Sequence, residues 1–213
     1  TGDSWENYAW RWALCHLLAY NPNYQARFRP LGMAFLKEQD ITFEQVYGPM
    51  ANEIIFEYLF FLNHMEIGYR MDLCDWDWNA KFSKVVSPRT QTCKVKAGRG
   101  YQPSRMLVES GQKYDFSASG RWQLASDGYS LTPDGNSSGE GRLVGVVFTS
   151  DYQLSEPFEL GSYGTFEAPA DGQLWLRCRD NWGKIADNRG EIDIVLKANS
   201  PGSSLPKPGT TAS

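Results

Sequence analysis

The sequence predicts an α+β protein built from two modules, an all-α helical module followed by an all-β sandwich of jelly-roll type. Three observations carry this reading. Aromatic residues crowd the front of the chain: 18 of the 30 Phe, Trp and Tyr precede residue 86, whereas 16 of the 20 Gly follow it. The whole formal charge of -4 belongs to residues 1–85, and the remainder is neutral. Hydrophobic spacing also changes from a helical period to a period of two near Gln91. The chain therefore divides into a helical module at residues 1–85, a linker at 86–91, a sandwich at 92–197 and a flexible tail at 198–213, rich in Pro, Ser, Gly and Thr.

Each helix has its own local signal. From Ser4 to Tyr20, Trp5, Tyr8, Trp12, Cys15 and Leu18 recur at helical spacing behind Asp3-x-x-Glu6, which resembles a capping box. Asn21-Pro22 ends that helix, and a second is expected over residues 23–37. Thr42 reads as the N-cap of a short piece, and Pro49 as the opening of a long helix to about Met65. Beyond Gln91, alternating runs such as Cys93/Val95, Met106/Val108, Tyr114/Phe116, Leu174/Leu176/Cys178 and Ile192/Ile194/Leu196 predict about eight short strands, separated by Gly- and Pro-rich turns.

Composition excludes several classes of function. With 41% hydrophobic and 22% charged residues among 213, the chain has the makings of buried cores. A balance of 21 Lys+Arg against 25 Asp+Glu lacks the basic excess of a nucleic-acid binder. The longest apolar stretch, Ile54 to Leu62, is broken by Glu57 and is about half of the roughly 20 residues a bilayer span needs. Thr1 begins without Met and without a signal-peptide pattern, which reads as a mature form or a piece of a longer protein.

Catalytic motifs are not evident. His16 and His64 are 48 positions apart and neither sits in His-Glu-x-x-His, so both read as structural or surface histidines. No nucleophile triad, phosphate loop or paired-acid site stands out. Cys93 and Cys178, in different predicted strands, either pair or remain buried thiols. Tyr69 to Trp78, where three Asp alternate with aromatics, reads as a carbohydrate platform or as a docking edge between the two modules, with docking favoured.

One loop, Asp180 to Gly190, concentrates hard oxygen donors. Calcium takes 6–8 oxygens at about 2.3–2.6 Å from carboxylates, amides and backbone carbonyls. Asp180, Asp187 and Asn188 supply such groups, although Asp and Asn before Gly are also ordinary turn chemistry.

Two resemblances add to these readings. The order of Gly111 to Phe116, Ala118 to Trp122, Thr132-Pro-Asp-Gly135, Gly141 to Gly145, Phe166 to Pro169 and the Asp180 loop resembles the calcium-dependent galactophilic lectins of the pseudomonad type, with a galactose-binding-like sandwich. That resemblance covers residues 92–197. It implies one calcium held by Asp180, Asp187 and Asn188 side chains and the Lys184 carbonyl, with a further carbonyl near Ala125, and a galactose-type sugar completing the shell. It also implies sugar contacts from Asp134, Asn181 and Trp182, together with Asp180 and Asp187. Trp182 stands where the family has Pro, and either stacks on sugar or covers the loop. Lys184 replaces a Thr, and the family's sugar loop loses its His at Thr132-Pro-Asp-Gly. An exported, extracellular or periplasmic protein is the implied setting. Second, Tyr8 to Leu14, Arg27-Phe28, Thr42 to Gly48 and Glu53 to Leu59 resemble the helical C-terminal half of gluzincin peptidase domains, which implies a fragment of a metallopeptidase-like parent with the sandwich as an accessory domain.

Overall fold

Chain order in the computed structural model, which describes residues 4–125, 128–199, 205 and 207, runs from helices to strands. Most of the expected tail and Asp3 lie outside the described residues. The helices are α1 (Trp5–Tyr20), α2 (Gln25–Leu36), α3 (Phe43–Tyr47), α4 (Ala51–His64) and the single turn α5 (Met71–Cys74). Ser4 caps α1 by accepting from the Asn7 N–H at 3.3 Å. Thr42 caps α3 in a full capping box, its hydroxyl accepting from Gln45 N at 3.1 Å and the Gln45 amide oxygen accepting from Thr42 N at 2.8 Å. Pro49 sits in a 3-10 turn, Gly48–Met50, and α4 proper begins just after it.

Of the apolar stripe expected along α1, Leu18 is buried. Trp5, Tyr8, Trp12 and Cys15 are exposed, and the helix packs through Ala13, Leu17 and Leu18. Large aromatics met the periodicity criterion, but the smaller residues let α1 approach Tyr24, Leu31, Tyr47, Ile54 and Phe61 in the helical core.

The strands are β1 (Ser83–Lys84), β2 (Gln91–Lys96), β3 (Gln102–Val108), β4 (Lys113–Gln123), β5 (Leu143–Phe148), β6 (Phe158–Glu159), β7 (Tyr163–Glu167), β8 (Gly172–Cys178) and β9 (Arg189–Ala198). They form two sheets, ordered β1-β3-β8-β5-β6 and β2-β9-β4-β7. Pairing is antiparallel except between β1 and β3. Between the sheets lies a core built on Trp122, Leu143, Val147, Leu174, Leu176, Ile192, Ile194 and Leu196. β1 belongs to this sandwich by pairing, although its residues fall within the stretch expected to be helical module.

The helical module covers the outer face of the five-stranded sheet. Phe56 and Phe60 of α4, with Trp76 beyond α5, pack against Val146, Phe148 and Trp175 of β5 and β8. Trp76 lies 4.5 Å from Trp175, ring to ring, and Phe56 meets Phe148 edge-on at 5.0 Å. The Tyr69–Trp78 segment thus docks the two modules. Buried Glu57 secures it from within α4, accepting from the Trp76 N–H at 2.8 Å. No helix of the described residues is long and apolar enough to cross a membrane.

Candidate functional site

The Asp180–Gly190 loop joins β8 to β9 at one end of the sandwich. Its middle is a 3-10 turn, Ile185–Asp187, anchored by the buried Ile185 side chain. Gly190 must be glycine: its φ is 92°, and a Cβ there would meet the Arg121 carbonyl oxygen at 2.5 Å. From the other side the segment after β2 closes on the loop. Ala97 N donates to the Gly190 carbonyl at 3.0 Å, and a Cβ on Gly98 would lie 3.0 Å from the Asn188 carbonyl oxygen.

Two of the three expected side-chain ligands meet. Asn188 Nδ2 donates to Asp180 Oδ2 at 2.9 Å and reaches the Ala97 carbonyl at 3.4 Å. Asp180 Oδ1 accepts from the Asn181 N–H at 2.7 Å. Asn188 is 3% exposed, and its Oδ1 is buried without a hydrogen-bond partner among the described residues. A carbonyl oxygen left so costs about 1–3 kcal/mol, and a hard cation is one partner that would satisfy it. Asp187 is exposed at the end of the 3-10 turn. Among the described residues no three His, Cys, Asp or Glu side chains converge, and the side chains that meet here are one carboxylate, Asp180, and one amide, Asn188.

The other predicted residues have local duties. Lys184 N donates to the Asn181 carbonyl at 3.0 Å, while its side chain is exposed and its positive field helps hold Glu140 below the usual carboxylate range, behind the hydrogen bonds from Asn136 and Ser138. Asn181 Oδ1 accepts from Gly183 N at 2.8 Å, an Asx-type turn. The Ala125 carbonyl accepts from Gly128 N at 3.0 Å; residues 126 and 127 lie outside the described set. Asp134 braces a neighbouring connection: its carboxylate accepts from Ser162 N at 2.8 Å and the Ser162 hydroxyl at 2.5 Å. The segment that follows Asp134 nevertheless borders the start of the loop, where Gly141 N donates to the Arg179 carbonyl at 2.7 Å.

Trp182 turns toward the helices. It meets Phe60 edge-on at 5.1 Å and His64 at 5.0 Å, and its ring centroid lies 3.5 Å from the Arg177 Cζ. His64 is also stacked on Phe60 at 4.2 Å, with Nδ1 bonded to the Phe60 carbonyl at 2.8 Å. Burial holds its pKa below the usual histidine value, which favours the neutral imidazole. His16 stacks on Trp12 and Phe61. All four cysteines are free; Cys93 and Cys178 lie on different sheets, each with its thiol pushed by burial up to about 12.

Sequence reasoning passed over Arg177. It is 4% exposed on β8, facing the helical module beside Trp175 rather than the core of the sandwich. The available signal was an Arg inside Leu174-Trp-Leu-Arg-Cys178, a run apolar on both faces.

No known family model matches this chain, and no curated protein matches it either. Among solved structures, the chain is similar to one described as "EclA N-terminal domain; PllA-like lectin", at 22% identity and a TM-score of 0.42, over 51% of this chain and 96% of that one. It is also similar to a functionally unknown conserved protein mutant from Bacillus anthracis str. Ames, at 12% identity and a TM-score of 0.31, over 51% of this chain and 21% of that one.

Proposed function

We propose that the sandwich is a calcium-dependent carbohydrate-binding module for galactose-type sugars, carried by an exported protein and held rigidly against a helical module. The observation that carries this is the buried, partnerless Asn188 Oδ1 beside the Asp180 carboxylate, in the one loop rich in hard oxygen donors. Asp180, Asn188, Asp187 and the Lys184 carbonyl would hold the ion. Bound calcium would supply a positive centre able to take two adjacent sugar hydroxyls into its shell. Asp180 and Asp187 would accept hydrogen bonds from those hydroxyls, and their charges would neutralise the ion. Sugar selection rests on hydroxyl spacing rather than on aromatic stacking, since Trp182 packs between Arg177 and Phe60.

Thermal melts of the full chain test this. Millimolar calcium is expected to raise the Tm through linkage, and a galactoside added with calcium to raise it further. Asp180→Ala and Asp187→Ala should each remove the calcium response while leaving the metal-free melt cooperative. A chain indifferent to millimolar calcium, or a variant that responds like the wild type, overturns the assignment.

A further inference from the structure

A cleft of about 450 Å³ lies where the end of α4 meets the outer face of the five-stranded sheet, bordered by His64, Tyr101, Val144, Pro157, Arg177 and Trp182, with Glu159, Arg179 and Asp180 at its charged side. Its size suits a small ring compound. The chemistry of its wall is set by Arg177.

A buried guanidinium normally lies against a carboxylate, because an uncompensated buried charge costs several kcal/mol. Arg177 has no such partner: among the described residues its acceptors are two backbone carbonyls, those of Cys178, reached by Nε at 3.0 Å, and of Asp180, reached by a terminal nitrogen. None of the ion pairs among the described residues includes it. Trp182, at 3.5 Å, and Tyr101, at 5.7 Å, offer ring faces, which offset part of the cost but carry no charge. A guanidinium has five N–H groups, so donors remain for a ligand.

Neighbouring carboxylates are engaged elsewhere. Arg179, two residues along the strand direction, lies on the same side, and its carboxylate partner Glu159 also serves Arg142. The Asp180 carboxylate is engaged by Asn181 and Asn188 within the loop. The lining holds Arg177 and Arg179 against Glu159 and Asp180. With Glu159 paired to Arg179 and Arg142, Arg177 is the guanidinium of the lining without a carboxylate in an ion pair among the described residues, which suits a ligand with a single carboxylate. The planar guanidinium fork matches a planar carboxylate. Val144, Pro157 and Tyr101 add apolar surface to the lining for the body of a molecule.

We propose that this cleft is a binding site for a small carboxylate of about hexuronic-acid size, with Arg177 as its charge partner. The site does not depend on calcium or on sugar binding at the Asp180 loop.

The test uses the full chain, stripped of metal on a chelating resin, at constant ionic strength. Binding of glucuronate, glucuronate methyl ester and inorganic phosphate is followed by calorimetry and ligand-observed NMR. Glucuronate is expected to bind saturably, with the neutral ester weaker by at least about tenfold and phosphate weaker than glucuronate. Arg177→Met, which replaces a buried charge by an apolar chain of similar length, should keep a cooperative melt and lose glucuronate binding. If that variant fails to fold, the acid and ester pair on the wild type decides the matter. Lys94→Ala, on the open face of the other sheet, should bind glucuronate as the wild type does. Equal affinity for acid and ester, tighter binding of phosphate, undiminished binding in a folded Arg177→Met, or no saturable binding of glucuronate overturns the proposal. Loss of the calcium response alone would leave it standing.

Discussion

Along β5 every residue from Leu143 to Phe148 is buried, whereas along β9 Ile192, Ile194 and Leu196 are buried and Glu191 and Asp193 face water. The two strands belong to the two sheets of one sandwich, and the difference is what each sheet has on its far side. The five-stranded sheet lies between two apolar cores, one inside the sandwich and one formed with α4 and Trp76. The four-stranded sheet has its core on one face and an ion-pair ladder on the other, in which Lys94 reaches Glu191 at 2.8 Å and Asp193 at 3.1 Å. A sheet buried on both faces reads as continuous hydrophobic sequence, and one buried on a single face alternates. The same two-sided burial traps Arg177 on the covered face, while Lys94, Glu191 and Asp193 on the open face stay exposed.

Mutations on the two outer faces should therefore differ sharply. Trp175→Ala, which empties the covered face of the five-stranded sheet, is expected to cost about 3–5 kcal/mol in urea unfolding. An effect near zero would mean that the helical module is only loosely applied to the sheet.

Next in size is a pH effect from Glu57, buried in α4 beneath the Trp76 contact. Burial pushes its carboxyl from an ordinary value of 4.5 up to about 7, against the pull of the N–H groups that bond to it. A carboxyl whose pKa is raised by folding binds its proton more tightly in the folded state. Its stabilising contribution is full below about pH 4.5 and is lost as pH rises through about 7, a swing of about 3 kcal/mol. Wild-type stability should thus fall between pH 5 and 8 relative to Glu57→Gln, which keeps the acceptor for Trp76 without the charge. Parallel profiles for the two proteins would place the titration elsewhere.

The smallest effect is expected on the open face. Lys94→Ala removes both exposed ion pairs of the ladder, and melting should not move beyond experimental error. A large loss there would erase the distinction between the faces.

Much of the architecture was legible because its causes are local. The cap at Thr42, the break at Asn21-Pro22 and the alternation in β2, β4 and β9 are set by residues within a few positions of one another, whereas the cap of α1 falls on Ser4, one residue after the expected Asp3. β7 escaped because Tyr163-Gly-Thr-Phe-Glu167 buries only Phe166, and β1 because two residues show no period. The donor loop was visible as a cluster of Asp and Asn, but not the division of labour within it. Asp180 and Asn188 meet through a closure by Ala97 and Gly98, some 90 positions away, while Asp134 and Trp182 are drawn off by Ser162 and Phe60.

Residue types and their spacing determined by themselves that helices precede strands, that the charge lies in the helical part, and that one loop holds the hard oxygen donors. Tertiary structure decided which face of the sandwich the helices cover, and with it which polar groups lack partners. Periodicity records whether a residue is buried, whereas the partner of a buried polar group comes from distant segments: Asn188 Oδ1 and the Arg177 guanidinium emerge as unmet demands of opposite sign only once β8, β9 and α4 are in place.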